Sequence, residues 1–305
     1  MVVSEDEGNE GILVVDKATG PTSHDVVAMA RRALQIRRIG HCGTLDPLAS
    51  GVLVLCIGRL TRVSEWISRG DKEYEATFHI GATSSTDDAQ GEIQPTTGVP
   101  PPSRQRIEAA MAAFRGCLEQ TPPAHSAVKV DGVRSYKRAR RNEAVELAPR
   151  SVQVDRFEIV EFEAPLLKVR VECGKGTYIR SLARDLGAAL GCGAYVETLR
   201  RLRIGTMHAA YAVSLESLQS CEDAGTLRAA FVEPRSALVG VLEPLELDEY
   251  AAQAFVHGQA VSTADVGSDE ERAVFAGRSL LGIGRVKDGL VQPARVFAAP
   301  LAVVA

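Results

Sequence analysis

Two rhythms of apolar residues run along this chain. The first is the short unbroken run: "GILVVDK" (Gly11–Lys17) and "VLVLCIG" (Val52–Gly58). Runs of that length, bounded by charge or glycine, predict buried core strands, the first over Ile12–Val15. The second rhythm is strict alternation. In "YEATFHI", Tyr74, Ala76, Phe78 and Ile80 share one face, and Glu75, Thr77 and His79 share the other. "LKVRVEC" repeats the pattern, with Leu167, Val169, Val171 and Cys173 inside. A period of two predicts strands covered on one face and wet on the other, as in antiparallel or mixed sheets.

Helical spacing appears between these runs. Thr22 and Asp25 form a T-x-x-D cap, and Val26, Val27, Ala30 and Leu34 then line one face. Ile179, Leu182, Leu186 and Leu190 recur at the same spacing. "TTGVPPPSR" (Thr96–Arg104) reads as a connection, with a helix around "QRIEAAMAAFRG" after it. From Pro234–Pro244 onward, short apolar pieces punctuated by glycine predict a small β-rich domain of roughly 65 residues. The expected division is residues 1–237 and 238–305, since 305 residues exceed what one core usually serves.

Composition changes this picture little. Hydrophobic content of 45% and charged content of 24% are those of a globular protein, and the formal net charge of −4 does not announce a nucleic-acid binder. The distribution of charge does more. "KVDGVRSYKRARR" (Lys129–Arg141) holds six Lys or Arg against one Asp, and "RRALQIRR" (Arg31–Arg38) and "LRRLR" (Leu199–Arg203) add seven arginines. A local basic face binds phosphates whatever the total charge, although each run taken alone reads equally as a solvated helix face. Six cysteines without C-x-x-C spacing read as reduced thiols of a cytoplasmic protein, not as a disulfide scaffold or zinc site. The longest apolar run, "VLVLCI", is too short to span a bilayer.

The candidate chemistry starts at "GHCGTLDPLASG" (Gly40–Gly51), read as a loop between a helix and a strand. Asp46 precedes Pro47, which pushes it onto extended or turn backbone. A second segment, "GKGTYIRSLARDLG" (Gly174–Gly187), joins a strand to a helix. If that helix starts near Thr177, Arg180 falls in its first turn. Asp46, Arg180, Tyr74 and Tyr178 would then form a small polar site with aromatic walls. The alternatives are a turn-capping Asp and two core aromatics. "GKGT" fails the P-loop spacing because Gly176 separates Lys175 from Thr177. Asp87 and Asp88, in "SSTDDAQ", are candidates for a second carboxylate, but they read as part of a mobile polar loop.

Five segments together resemble the TruB family, the tRNA pseudouridine-55 synthases: "GILVVDKATGPTSHDVV", "GHCGTLDPLASGVLVLCIG", "DKEYEATFHIGATSSTDDAQGEI", "PPAHSAVKVDGVRSYKRAR" and "GKGTYIRSLARDLG". The resemblance covers about residues 11–235, and the tail is more weakly similar to the family's PUA domain. It implies an α/β (α+β) pseudouridine synthase fold. That fold has a mixed, largely antiparallel sheet flanked by helices and a C-terminal β-rich PUA-like domain. It also implies isomerisation of one T-loop uridine in tRNA by base flipping, without cofactor or metal, by a cytoplasmic monomer. Asp46 matches the family's catalytic aspartate, Tyr74 its base-stacking tyrosine, and Tyr178 and Arg180 its remaining active-site pair. Leu199 matches an apolar pocket residue, and His41 a histidine that contacts RNA near the flipped base. Lys17, Arg31, Arg38, Lys129, Arg138 and Arg141 are expected to bind substrate. The pattern departs at Ala18, Ser84, Ser85, His125 and Asn142, in loop shape and RNA contact. The competing expectations are a non-catalytic RNA-binding or tRNA-folding protein, and a hydrolase that releases uracil.

Overall fold

The computed structural model describes residues 10–126, 129–130, 133–135, 147–221, 223–264 and 269–297. A ten-stranded mixed sheet forms its centre. Its strands are β1 (Gly11–Lys17), β2 (Ile39–Cys42), β3 (Ser50–Ile57), β4 (Lys72–Ile80) and β5 (Gly116–Gln120), then β6 (Arg150–Glu163), β7 (Leu166–Cys173), β8 (Ala194–Ile204), β9 (Met207–His208) and β10 (Val213–Ser214). The spatial order is β10-β1-β3-β8-β4-β7-β6-β5, with β2 paired to β3 and β9 to β8. Only the β1–β10 and β3–β8 ladders are parallel. Helices α1 (Ser23–Leu34), α2 (Arg104–Met111) and α3 (Ile179–Leu190) cover one face.

The sequence rhythms map onto the sheet directly. In β4, Tyr74, Ala76, Phe78 and Ile80 are buried under the helices. The intervening Glu73 and Glu75 join Lys168, Arg170 and Arg203 in an ion-pair ladder on the wet face. Helix α1 begins on the expected capping box: Thr22 accepts from the Asp25 amide while the Asp25 carboxylate accepts from the Thr22 amide. The β3 run is apolar throughout because both of its faces are covered. Leu53, Leu55 and Ile57 meet α1 and α3. Val52, Val54 and Cys56 meet the C-terminal region.

That region is a five-stranded sheet of β11 (Glu243–Glu246), β12 (Val261–Ser262), β13 (Glu270–Ala276), β14 (Ser279–Lys287) and β15 (Leu290–Val296), in the order β11-β13-β14-β15-β12. Helix α4 (Glu249–Val256) packs on it through Phe255. Its other side shares a core with the back of β1 and β3, where Phe275, Ile283 and Phe297 meet Ile12, Val14, Val52 and Trp66. Trp66 donates its indole N–H to Glu271 at 2.9 Å, and Arg69 reaches the same carboxylate at 2.8 Å. Among the described residues, no helix is long and apolar enough to cross a membrane.

Three expectations need correction. The segment Gly40–Gly51 is not a loop throughout, since Ile39–Cys42 forms β2 and pairs with β3. "LRRLR" is not a basic surface face but part of β8. Alternation turns Arg201 into the core and Arg200 outward against Asp16, and an irregularity in the ladder between Arg201 and Arg203 turns Arg203 outward as well, against Glu73. Asp87 and Asp88 do not belong to a free polar loop. The turn they occupy is tied to β8 by main-chain bonds from Val196 to Asp87 and from Ala89 to Val196, and Asp88 is 3% exposed.

Candidate active site

The middle of the sheet opens into a cleft of about 270 Å3. Three elements meet there. The Gly43–Ala49 turn enters from the β2–β3 hairpin, Tyr74 rises from β4, and the start of α3 brings Tyr178 and Arg180. Register places Tyr74 opposite Arg201 of β8 and Val171 of β7, and Leu199 opposite Ala76. Asp46, Tyr74, Tyr178, Arg180 and Leu199 all line this one cleft, as do Lys72, Ser126 and Arg201.

The Asp46 turn is held from both sides. Buried Ser23, the first residue of α1, accepts from the Leu45 amide at 2.9 Å and donates to the Leu45 carbonyl at 3.0 Å. The Gly20 amide donates to the Pro47 carbonyl. The turn leads into β3, whose second residue, Gly51, has a φ of +99° in the left-handed region. A Cβ there would fall 2.1 Å from the Arg201 carbonyl oxygen, so the parallel β3–β8 contact requires glycine.

Arg180 is the hub of the charges. It is 4% exposed, yet all of its near partners are anionic or carbonyl oxygens. One nitrogen lies 2.8 Å from Asp46 and also donates to the His125 carbonyl at 2.8 Å. The other lies 3.5 Å from Asp88 and donates to the Thr86 carbonyl at 3.0 Å. Asp88 in turn accepts from the Thr86 hydroxyl and the Gln90 amide. The Asp46 side chain keeps 39% of its surface open to the cleft, but protein surrounds its other sides. Burial therefore raises the carboxyl above its ordinary value, Arg180 opposes the rise, and Asp88 adds to it.

The floor is also desolvated. Tyr74 is buried, which raises its phenol above the ordinary value, while Arg201 pulls the other way. Arg201 donates to the Val52 and Gly43 carbonyls at 2.8 and 2.9 Å. Lys72 donates to the Ser68 and Gly70 carbonyls, and burial, helped by Arg201, lowers its ammonium to about 8.

The remaining sequence-named residues divide. Lys17 is fully buried, with its ammonium on the Ala18 and Pro21 carbonyls, so it is not at the surface. His41 stands on β2 outside the cleft lining, edge-on to His24 at 5.2 Å. Arg31 and Arg38 are exposed, each with one bond to the body of the protein, to the Ile39 carbonyl and the Thr61 hydroxyl. The main chain of Lys129 pairs with that of Arg134 in a small hairpin. Arg138 and Arg141, like Asn142, lie outside the described residues. Of the other departures, Ser84 donates to the Asp88 carbonyl, Ser85 accepts from the Glu92 amide, and the His125 carbonyl receives Arg180.

Sequence reasoning missed Arg201, Lys72 and Gln120, and it set Asp88 in a mobile loop away from the site. Gln120 ends β5, is 1% exposed, and bonds to both main-chain groups of Tyr178. Asp88 carried one signal, its place beside a second acid in a turn between strands. Arg201 reads as one of a basic run, and no local pattern singles out Lys72 or Gln120.

Solved structures share this architecture. The archaeal box H/ACA sRNP Nop10–Cbf5 complex contains a chain 25% identical, with a TM-score of 0.74 over 98% of this chain and 89% of that one. An H/ACA RNP bound to a substrate RNA containing 2′-deoxyuridine gives 25% and 0.73 over 95% and 86%. The fold is a pseudouridine synthase fold. The sequence comparisons narrow it further. Residues 31–179 match the TruB family pseudouridylate synthase N-terminal domain. Residues 180–247 match the tRNA pseudouridylate synthase B C-terminal domain, and residues 244–297 the C-terminal region of pseudouridine synthase II TruB. The tRNA pseudouridine synthase B of Burkholderia lata is 39% identical over 94% of this chain and 90% of its own length. That of Opitutus terrae is 47% identical over 69% and 88%. The chain belongs to the TruB family of pseudouridylate synthases.

Proposed function

We propose that this chain converts uridine 55 in the T-loop of tRNA to pseudouridine, with Asp46 as the reacting carboxylate. One observation carries the reading. A single carboxylate, fixed at 2.8 Å by a buried arginine, faces a nucleoside-sized cleft with a tyrosine in its floor and a leucine in its wall. The names of the relatives supply the RNA class. The reaction breaks the N1–C1′ bond, joins C5 to C1′, releases the C5 proton and leaves N1 protonated, so it is an isomerisation that consumes no co-reactant. Asp46 acts at the sugar as the base departs, and Arg180 holds it in place. Flipping the base out of the loop costs a few kcal/mol. Stacking on Tyr74 returns about 1–3 kcal/mol. Tyr178 and Leu199 complete the walls. Exposed Arg31 and Arg38, with Lys129, Arg138 and Arg141, meet phosphates of the T-arm. Residues 1–237 form the catalytic domain and 238–305 a PUA-like RNA-binding domain.

Glycosidases usually set two cooperating carboxyls against their substrate. Asp88, the second acid nearest Asp46 through Arg180, is buried behind that arginine and does not line the cleft. The test uses tRNA tritiated at uridine C5. The native protein is expected to release tritium at position 55 without free uracil, and Asp46→Asn to lose at least about 10³-fold in rate. Native turnover in the Asn variant removes Asp46 from the chemistry, no tritium release by the native protein leaves only an RNA binder, and free uracil leaves a hydrolase.

A further inference from the structure

The charges of the cleft hang from the first turn of α3, and that turn has no cap of its own. Tyr178, at the N-cap, makes no side-chain capping bond. Its main chain is instead gripped from another element. The Gln120 carboxamide accepts from the Tyr178 amide at 2.8 Å and donates to the Tyr178 carbonyl at 3.1 Å. The same carbonyl receives the Leu182 amide, so the amide of Gln120 shares an acceptor with the first turn of the helix. Two further bonds stitch the residue after Gln120 to α3. Ser181 donates to the Thr121 carbonyl at 2.8 Å, and Arg184 to the same oxygen at 2.9 Å. Arg180 itself donates to the His125 carbonyl farther along this segment.

We propose that Gln120 is a positioning residue. Its carboxamide caps α3 from the neighbouring edge strand and thereby fixes both Tyr178 and the Arg180 guanidinium that holds Asp46. The inference rests on the reading of the cleft as a pseudouridylation site. A buried primary amide is uncharged at every pH and offers a donor and an acceptor side by side. An N-terminal helix amide left unpaired in the interior is costly, and the lost bond frees the turn to shift. A misplacement near 1 Å at the reacting groups is worth about 10²-fold in rate.

Two variants test this against the native chain. Gln120→Met keeps the volume and removes both bonds. Its single-turnover rate of tritium release is expected to fall about 10- to 100-fold, with RNA affinity within about threefold of native. Hydrogen exchange of the Tyr178 amide is expected to quicken in the same folded protein. Gln120→Glu, when ionised, keeps the acceptor and sets a charge against the Tyr178 carbonyl. When protonated it restores both bonds. The charged groups around it are Arg150, opposite Gln120 on β6, and Arg180 and Arg184 on α3 with their partners Asp46, Asp88, Asp87 and Asp185. The ratio of its rate to the native rate is therefore expected to rise as pH falls. A native rate and native Tyr178 exchange in the Met variant overturn the proposal, as does a ratio for the Glu variant that is flat with pH. An inactive native protein defeats the assigned reaction instead, and the exchange measurement still decides the cap.

Discussion

The two halves of the large sheet solve burial differently. In the β1–β3 half the apolar runs Ile12–Val15 and Val52–Ile57 are buried without a break, because helices cover one face and the C-terminal sheet covers the other. In the β4–β7–β6 half only alternate positions are buried, and the rest carry a ladder of ion pairs in water. The cleft opens at the seam between the halves, where β3 meets β8 and β8 meets β4. One half clamps the Asp46 turn, and the other presents Tyr74. A carboxylate that must stay put is thus rooted in the drier and better packed side.

Substitutions on either side of the seam sharpen this contrast. The largest effect is expected at Gly51, where a Cβ meets the Arg201 carbonyl in a left-handed conformation. Gly51→Ala is expected to cost about 4 kcal/mol in denaturant melts, combining backbone strain and overpacking. Leu53→Ala, in the doubly covered strand, is expected to cost about 3 kcal/mol by leaving a cavity. Lys72 probes the seam through pH. Its folded value of about 8 lies below the ordinary 10.5, so the folded state binds fewer protons between those limits. The native protein should therefore gain stability relative to Lys72→Met as pH rises from 8 to 10.5, measured by paired melts. A constant difference between the two would remove Lys72 from the desolvated floor. The smallest effect is expected on the wet face. Lys168→Ala breaks a partly exposed pair with Glu75 and should cost no more than about 1 kcal/mol, shrinking with salt. A cost as large as that of Leu53→Ala would mean that the wet face bears as much weight as the dry one.

The same contrast explains what the sequence disclosed. Alternation in β4 and β7, the Thr22–Asp25 box and the apolar face of α3 are local patterns, and local patterns survive in one dimension. Asp46 was legible because a glycine-flanked turn announces itself. The burial of Asp88 was not, because "SSTDDAQ" is polar at every position but Ala89 and only contact with β8 and Arg180 buries it. Lys17 misled for the same reason. A lysine after a strand reads as exposed until the fold brings two carbonyls to its ammonium. Gln120 acts through Tyr178, and nothing in either segment alone joins them.

The shared core behind β1 and β3 also bears on the order of synthesis. Ile12 and Val14 leave the ribosome well before Phe275, Ile283 and Phe297, which cover them. Until then the nascent protein carries an uncovered greasy stripe across two of its central strands, the kind of surface that invites aggregation. A chain cut short before β13 keeps every group of the cleft, yet it is expected to be sticky and to depend on chaperones.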